Sequence, residues 1–143
     1  MYNDEFDTEL IDYLLTFFRL HGADSLSVTS LIVGDDIYRI RLENNDIVLQ
    51  LFYEKEDDNC EAQIRITNIL LKGKMKNIGM SKKIINTLLD YSWNHNDMSL
   101  WMFELINKSW STYLVHNGAQ MIQEETQFEG AVLLIQDKLA DVI

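Results

Sequence analysis

Apolar side chains near the N-terminus recur three or four positions apart. In the segment NDEFDTELIDYLLTFFRLHG six apolar residues follow this spacing, and most positions between them are acidic or polar. Such spacing gathers the apolar side chains on one face of a helix. Asn3 or Asp4 can serve as the N-cap and Gly22 as the stop. The pattern therefore predicts an amphipathic helix over residues 4–21.

Four runs with a different period follow this helix. They read SLSVTSLIV, IYRIRLE, IVLQLFYEK and EAQIRITNILL, and the short polar breaks GDD, NND and EDDN separate them. Runs rich in Val, Ile, Leu, Tyr and Phe between such breaks indicate strands joined by tight turns, which is an antiparallel meander. In the second run Tyr38, Ile40 and Leu42 alternate with charged residues. One face of that strand is therefore expected to face water.

The helical period returns in SKKIINTLLDYSWNHN and again in NKSWSTYLVHNG, which Asn107 opens and Gly118 closes. The apolar run MSLWMFELI between them indicates a buried strand, and AQMIQEE and GAVLLIQDK indicate two more. A strand–helix–strand step inside an antiparallel sheet predicts a mixed α/β (α+β) fold. The chain contains no proline, repeat or low-complexity stretch, so residues 1–143 are expected to form a single domain.

The composition narrows the class of partner. The formal net charge is −11, from 23 acidic and 12 basic residues, which argues against nucleic-acid binding because phosphates are held mainly by Lys and Arg. No apolar run reaches the roughly 20 residues that span a bilayer, and the N-terminus is acidic. We therefore expect a cytoplasmic protein without a membrane partner. Cys60 is the single cysteine and the three histidines are scattered, so no metal site is expected.

One segment departs from the acidic character of the chain. KGKMKNIGMSKK, residues 72–83, holds five of the twelve Lys and Arg residues and no acid. It joins a predicted strand to a predicted helix, whose N-terminus carries free amide donors and the positive end of the helix dipole. A glycine-containing turn at this place predicts an anion site. The expected amide donors are Ile78, Gly79, Met80, Ser81 and Lys82, and the expected charges are Lys76, Lys82 and Lys83. A basic helix start without any ligand is the open alternative.

The run Lys76-Asn77-Ile78-Gly79-Met80-Ser81 resembles the Gln/Arg-x-x-Gly-x-Gly/Ala signature of the GNAT superfamily of acyl-coenzyme A N-acyltransferases, with Lys76 and Ser81 as departures. KKIINTLLDYSW, LWMFELIN and NKSWSTYLVHNGA resemble the helix, strand and Asn-led helix that follow this signature. The resemblance covers about residues 36–137. It implies a GNAT-like, mostly antiparallel mixed sheet with flanking helices, in which residues 62–71 and the strand SLWMFEL splay apart. The N-terminal helix is atypical of the family.

The resemblance also implies a coenzyme site. Acetyl-coenzyme A would place its pyrophosphate at the basic segment and its pantetheine arm in the splayed gap. The residues implied to bind it are Ile69, Leu70, Leu71, Lys76, Ile78, Gly79, Met80, Ser81, Lys82, Lys83 and Asn107.

Two positions depart from the catalytic pattern of the family. Its proton-donating tyrosine often stands seven residues after the position of Asn107, where this chain has Leu114; the adjacent Tyr113 is the candidate acid, with simple packing as the alternative. The acid often found in the strand before the loop is replaced by Arg65. Glu104 is a second catalytic candidate, because a carboxylate in an apolar strand must be paired or have a raised pKa.

These observations lead to two hypotheses. The first is an acetyl-CoA-dependent N-acetyltransferase, in which a small-molecule or peptide amine attacks the thioester directly. The second is a catalytically degenerate GNAT-like fold that serves as a protein-binding or regulatory module, which Leu114 and Arg65 favour. The sequence leaves the acceptor and the oligomeric state open, and a homodimer is one option.

Overall fold

The structure is a computed structural model that describes residues 5–23, 25–55, 61–76, 79–94, 98–104, 108–124, 126 and 130–139. For residues 5–7, 104, 108 and 109 it describes the backbone alone. The helices and strands follow one another along the chain in the predicted order. They are α1 (Glu5–Leu20), β1 (Ser27–Gly34), β2 (Ile37–Glu43), β3 (Ile47–Glu54), β4 (Gln63–Leu71), α2 (Met80–Asn94), β5 (Ser99–Glu104), α3 (Lys108–His116), β6 (Gln120–Gln123) and β7 (Ala131–Ile135). A short 3₁₀ turn, Gly73–Met75, lies between β4 and α2.

The strands form one seven-stranded sheet in the order β1-β2-β3-β4-β5-β7-β6. Every neighbouring pair is antiparallel except β4 and β5, which are parallel and are joined through α2. The described part of the chain thus forms a mixed, mostly antiparallel sheet with three helices, so the α+β fold expected from the sequence is confirmed.

The core is built on one face of this sheet, here called the helix face. Its strand residues include Ile40, Leu49, Leu51, Ile64, Ile66, Leu100, Met102 and Leu133. Side chains from all three helices belong to the same buried cluster, among them Leu14, Ile84 and Leu114. Since none of the described helices takes part in a cluster on the opposite face, the protein buries its apolar side chains between one layer of helices and one side of the sheet.

The opposite face, here called the open face, has another composition. Directly paired positions on β2, β3, β4 and β5 place Arg39, Phe52, Arg65 and Trp101 in one row across it. All four side chains are partly exposed. The alternation read from IYRIRLE thus correctly predicted a wet face.

Helix α1 packs beside α2 and covers the first strands. The rings of Tyr13 on α1 and Tyr91 on α2 lie 5.1 Å apart between centroids. The helix ends where Ala23 donates its amide to the Phe18 carbonyl at 2.8 Å, with Gly22 at a φ of 88°. That positive φ is readily adopted by glycine, which explains the stop predicted at this residue. None of the described helices is long and apolar enough to cross a membrane.

Truncation of a core residue on the central strand β3 is expected to destabilise the fold strongly. Leu49 is fully buried on the helix face, so Leu49→Ala should lower the free energy of unfolding by about 3 kcal/mol, from lost burial and the cavity left behind. Urea denaturation measures this change. The matched control is Leu31→Ala on the edge strand β1, where the side chain is 44% exposed and the loss should be below about 1 kcal/mol. Equal losses would contradict a core restricted to the helix face.

The buried tyrosine of α2 predicts a loss of stability in alkali. Burial raises the pKa of Tyr91, and Glu9, Tyr53 and Tyr13 raise it further. The folded state therefore holds the phenol proton more tightly than the unfolded state. Its contribution to stability is present below the unfolded pKa of about 10 and is lost as the pH rises above it. Tyr91→Phe should unfold with a smaller loss of stability between about pH 8 and about pH 11 than the parent, as measured by denaturant titration. An unchanged loss would contradict this assignment.

Candidate functional site

Strands β4 and β5 are paired along only part of their length. Their register runs from Gln63 opposite Ser99 to Ile66 opposite Met102. Beyond these residues β4 continues to Leu71 in pairing with β3, while β5 continues in pairing with β7. The two strands are therefore no longer paired with each other over the last five residues of β4 and the last two of β5, and the space between these ends is here called the gap. An end to the pairing at this place agrees with the splay that the sequence resemblance implies.

A β-bulge in β4 marks the point of separation. Ile66 lies opposite Leu51 and Asn68 opposite Gln50, which leaves Thr67 as the extra residue. The Thr67 hydroxyl donates to the Gln50 carbonyl oxygen and accepts from Gln50 Nε2, each at 3.2 Å. Because a bulge bends its strand and increases the local twist, it redirects the second half of β4 at the residue where pairing with β5 ends.

The sequence contains a sign of this bulge. The prediction of EAQIRITNILL as a regular strand did not use it. The apolar positions Ile64 and Ile66 are two apart, but the next one, Ile69, follows after three. Without an extra residue, Ile69 and Leu71 would lie on the wrong face. With it, they lie opposite Leu49 and Ile47 and join the packing of the helix face.

Helix α2 begins at the end of this gap. Gly79 precedes it with a φ of 72°, and its carbonyl accepts the first helical hydrogen bond, from the Lys83 amide at 3.2 Å. The helix itself therefore offers no acceptor to the amides of Met80, Ser81 and Lys82. The first turn contains no acidic residue, and a Cβ built on Gly79 would meet nothing within 4 Å. The helix start is open and suited to an anion.

The basic segment divides into lysines with different neighbours. Lys74 Nζ donates to the Gly22 carbonyl at 3.2 Å, so it is directed to the end of α1. Lys82 Nζ lies 4.6 Å from the ring centroid of Tyr113. Lys76 is exposed and Lys83 is half-buried. Of the three charges expected at the site, Lys82 and Lys83 lie in the first turn of α2 and Lys76 precedes it in the chain. Lys74, which was not among them, is directed elsewhere.

The other glycine of the segment has a structural role. Gly73 has a φ of 55°, and a Cβ there would come within 2.7 Å of Asp46 Oδ1 in the turn between β2 and β3. The Lys72 amide donates to the Asp46 carbonyl at 2.8 Å. This glycine therefore lets the chain leave β4 against that turn.

The two neighbours on α3 have different surroundings. Leu114, at the position of the expected tyrosine, is fully buried in the core. Tyr113 is half-buried, stacks on Trp110 with ring centroids 5.3 Å apart and planes 4° from parallel, and contacts Lys82 on α2. The structure thus brings Tyr113 next to the start of α2, and its catalytic role remains a prediction.

Three predicted site residues fall outside what is described. Ile78 and Asn107 lie outside the described residues, and so does the side chain of Glu104, although its backbone pairs with Ala131. Of the strand residues, Ile69 and Leu71 are half-buried and Leu70 is 42% exposed at the edge of the gap. Among the described residues no group of His, Cys, Asp and Glu could hold a metal ion.

Comparison with known proteins gives likenesses in structure only. No family model matches the sequence, and no curated protein matches it. The chain is similar to Arabidopsis thaliana Naa50, solved in complex with the bisubstrate analogue CoA-Ac-MVNAL, with a TM-score of 0.49 and 11% identity over 67% of this chain and 70% of that one. It is also similar to a presumed acetyltransferase from Agrobacterium tumefaciens, with a TM-score of 0.44 and 13% identity over 94% and 91% of the two chains. Both TM-scores lie below 0.5, so neither likeness assigns a family or an activity.

Proposed function

We propose that the protein is an acetyl-CoA-dependent N-acetyltransferase. The observation that carries this proposal is the coincidence of two features at one end of the sheet. The gap between β4 and β5 opens toward their C-terminal ends, and α2 starts there with a glycine and free amides. Ligands of sheets with parallel strands bind in such crevices, outside the carboxyl ends of the strands.

The residues at this end suit the parts of coenzyme A. A diphosphate needs amide donors and cations, which the first turn of α2 offers through Met80, Ser81 and Lys82, with Lys76 and Lys83 nearby. The open space around Gly79 allows close approach of a phosphate to the backbone. The pantetheine arm is an extended chain with amides, and β4 from Ile69 to Leu71 presents a strand edge that is not paired with β5.

The chemistry requires little from the protein beyond positioning. When bound, the coenzyme supplies an acetyl thioester. The neutral amine would attack the carbonyl carbon of this thioester, forming a C–N bond, and the C–S bond would break to release the thiolate. The walls of the gap would hold the acceptor and the thioester close together, which by itself removes much of the barrier. Tyr113 is the candidate donor of a proton to the leaving sulfur, and Glu104 is the candidate to receive the amine proton. The acceptor is a small-molecule or peptide amine.

A non-catalytic role is the rival proposal, and one observation favours it. Leu114 fills the core position where the family has its tyrosine, and Arg65 replaces the usual acid. A degenerate protein would still bind coenzyme A or a protein partner. Measuring thiol release from acetyl-CoA with a panel of amines distinguishes the acetyltransferase from the non-catalytic protein. Bound coenzyme without turnover would support the regulatory hypothesis.

Substitution of the glycine before α2 should abolish coenzyme binding. In Gly79→Leu the side chain enters the space proposed for the diphosphate, so the rise in melting temperature with acetyl-CoA seen in the parent should disappear. Gly22→Leu is a matched control, since Gly22 also has a positive φ and nothing within 4 Å of its Cβ. Both variants should lose about 1–2 kcal/mol of stability from backbone strain. Only the first should lose the ligand response; loss in both, or in neither, contradicts the site.

Removal of the bulge should close the gap and leave the fold intact. Deletion of Thr67 makes the spacing of Ile64, Ile66, Ile69 and Leu71 a regular two, so the apolar side chains keep their face while β4 runs straight beside β5. We expect cooperative unfolding without any calorimetric signal for acetyl-CoA. Thr67→Val keeps the extra residue and should bind while losing about 1 kcal/mol of stability from its hydrogen bonds. Binding of acetyl-CoA by the deletion variant would contradict the proposed role of the bulge.

A further inference from the structure

Arg65 lies on the open face at the point where the gap begins. It pairs with Trp101 one position before the last pair of β4 and β5. The guanidinium carbon lies 5.6 Å from the ring centroid of Phe52 and 5.9 Å from that of Phe103. Phe103 belongs to the part of β5 that has already separated from β4. A cation is thus held between two aromatic rings beside the opening of the gap.

The hydrogen-bonding capacity of this guanidinium is poorly used. Among the side chains that the structure describes, it forms an ion pair with Glu54, whose Oε2 lies 3.8 Å from Nη2, and that same oxygen accepts a shorter hydrogen bond of 3.0 Å from Gln63. Arg65 Nε is buried and has no hydrogen-bond partner among the described residues. Guanidinium carries five donors in a rigid fork, so Arg65 keeps donors for a further acceptor. Although Nε is buried, the side chain as a whole remains 27% exposed, so the group is not sealed off from solvent.

The other arginines of the open face are placed differently. Arg41 donates to Gln50 at 3.1 Å and to Glu43 at 3.3 Å, and it lies on β2, two strands from the gap. Arg39 lies on the same strand. Arg65 is therefore the arginine next to the gap.

The covered helix face determines how an acceptor can approach. The three helices pack on that side of the sheet, so a second substrate reaching the gap comes across the open face and passes Arg65. A guanidinium repels an ammonium group and binds a carboxylate through two parallel hydrogen bonds. The aromatic rings on either side restrict the orientations of the guanidinium, which favours such a pair.

We propose that the acceptor is an amine that carries a carboxylate close to its amino group, such as a free amino acid, and that Arg65 binds this carboxylate. The proposal rests on the acetyltransferase function proposed above and names its acceptor class. Arg65 acts here as a specificity residue that touches the substrate away from the reacting atoms. Simple polyamines, which have cationic groups and no anion, are poor acceptors on this account.

The test compares acceptors that differ only in the carboxylate, with the full chain and saturating acetyl-CoA. Suitable pairs are phenylalanine with phenethylamine and lysine with cadaverine, and thiol release gives kcat and KM for each. We expect the carboxylate-bearing member to have a kcat/KM at least about tenfold higher. Equal or faster transfer to the decarboxylated amine overturns the proposal.

Variants assign the preference to Arg65. Arg65→Gln should raise the KM for the amino acid at least about tenfold and leave the KM for acetyl-CoA and for the decarboxylated amine within about twofold. Arg41→Gln is the matched control, with the same change on the same face, and should preserve the preference. If Arg65→Gln does not fold, Arg65→Lys decides, because it keeps the charge without the fork and should weaken the preference. An unaltered preference in a folded Arg65 variant overturns the proposal.

Failure of the coenzyme site gives a different result. If acetyl-CoA does not shift the melting temperature of the parent, the acetyltransferase function itself is wrong. If acetyl-CoA binds and neither member of any pair is acetylated, the coenzyme site stands and the acceptor proposal is overturned.

Discussion

The central constraint in this protein is the early end of hydrogen bonding between its two parallel strands. A strand edge inside a sheet normally satisfies its amides and carbonyls on both sides, and leaving them unpaired is costly unless another partner takes their place. Here the pairing of β4 and β5 ends at Ile66 and Met102, and each strand then keeps only its outer neighbour. The extra residue at Thr67 fixes this arrangement, since it bends β4 without moving its apolar side chains to the other face.

The packing of the described helices on one side of the sheet is the second constraint. Because α1, α2 and α3 contribute to a single core on the helix face, the opposite side of the sheet keeps a row of arginine and aromatic side chains in contact with solvent. The atypical N-terminal helix contributes to this, since Tyr13 packs it against α2. In the proposed function, this open side next to the gap would give the second substrate a route that is separate from the helix start proposed to bind the phosphates.

The two departures from the pattern of the family that the sequence resembles have different consequences in this fold. Leu114 belongs to the core, so a proton donor at that position is absent from this chain and a neighbouring residue or solvent would have to replace it. Arg65 instead places a positive charge next to the last paired residues of β4 and β5, where the family that the sequence resembles often has an acid. In the proposed function this charge would affect which acceptors are attracted more than whether transfer can occur, since positioning alone supplies much of the acceleration.

The sequence by itself determined the elements, their order and the placement of the glycines at the ends of helices, because periodicity and backbone preference are local properties. The bulge could also have been predicted from the sequence, since the three-residue step from Ile66 to Ile69 breaks the two-residue period of a regular strand. Only the tertiary structure decided that β7 lies between β5 and β6 and that the three described helices pack on one face of the sheet. It also decided that Lys74 contacts the end of α1 while Lys82 contacts Tyr113. These features depend on contacts between residues far apart in the chain, where many arrangements satisfy the same local pattern and packing selects among them.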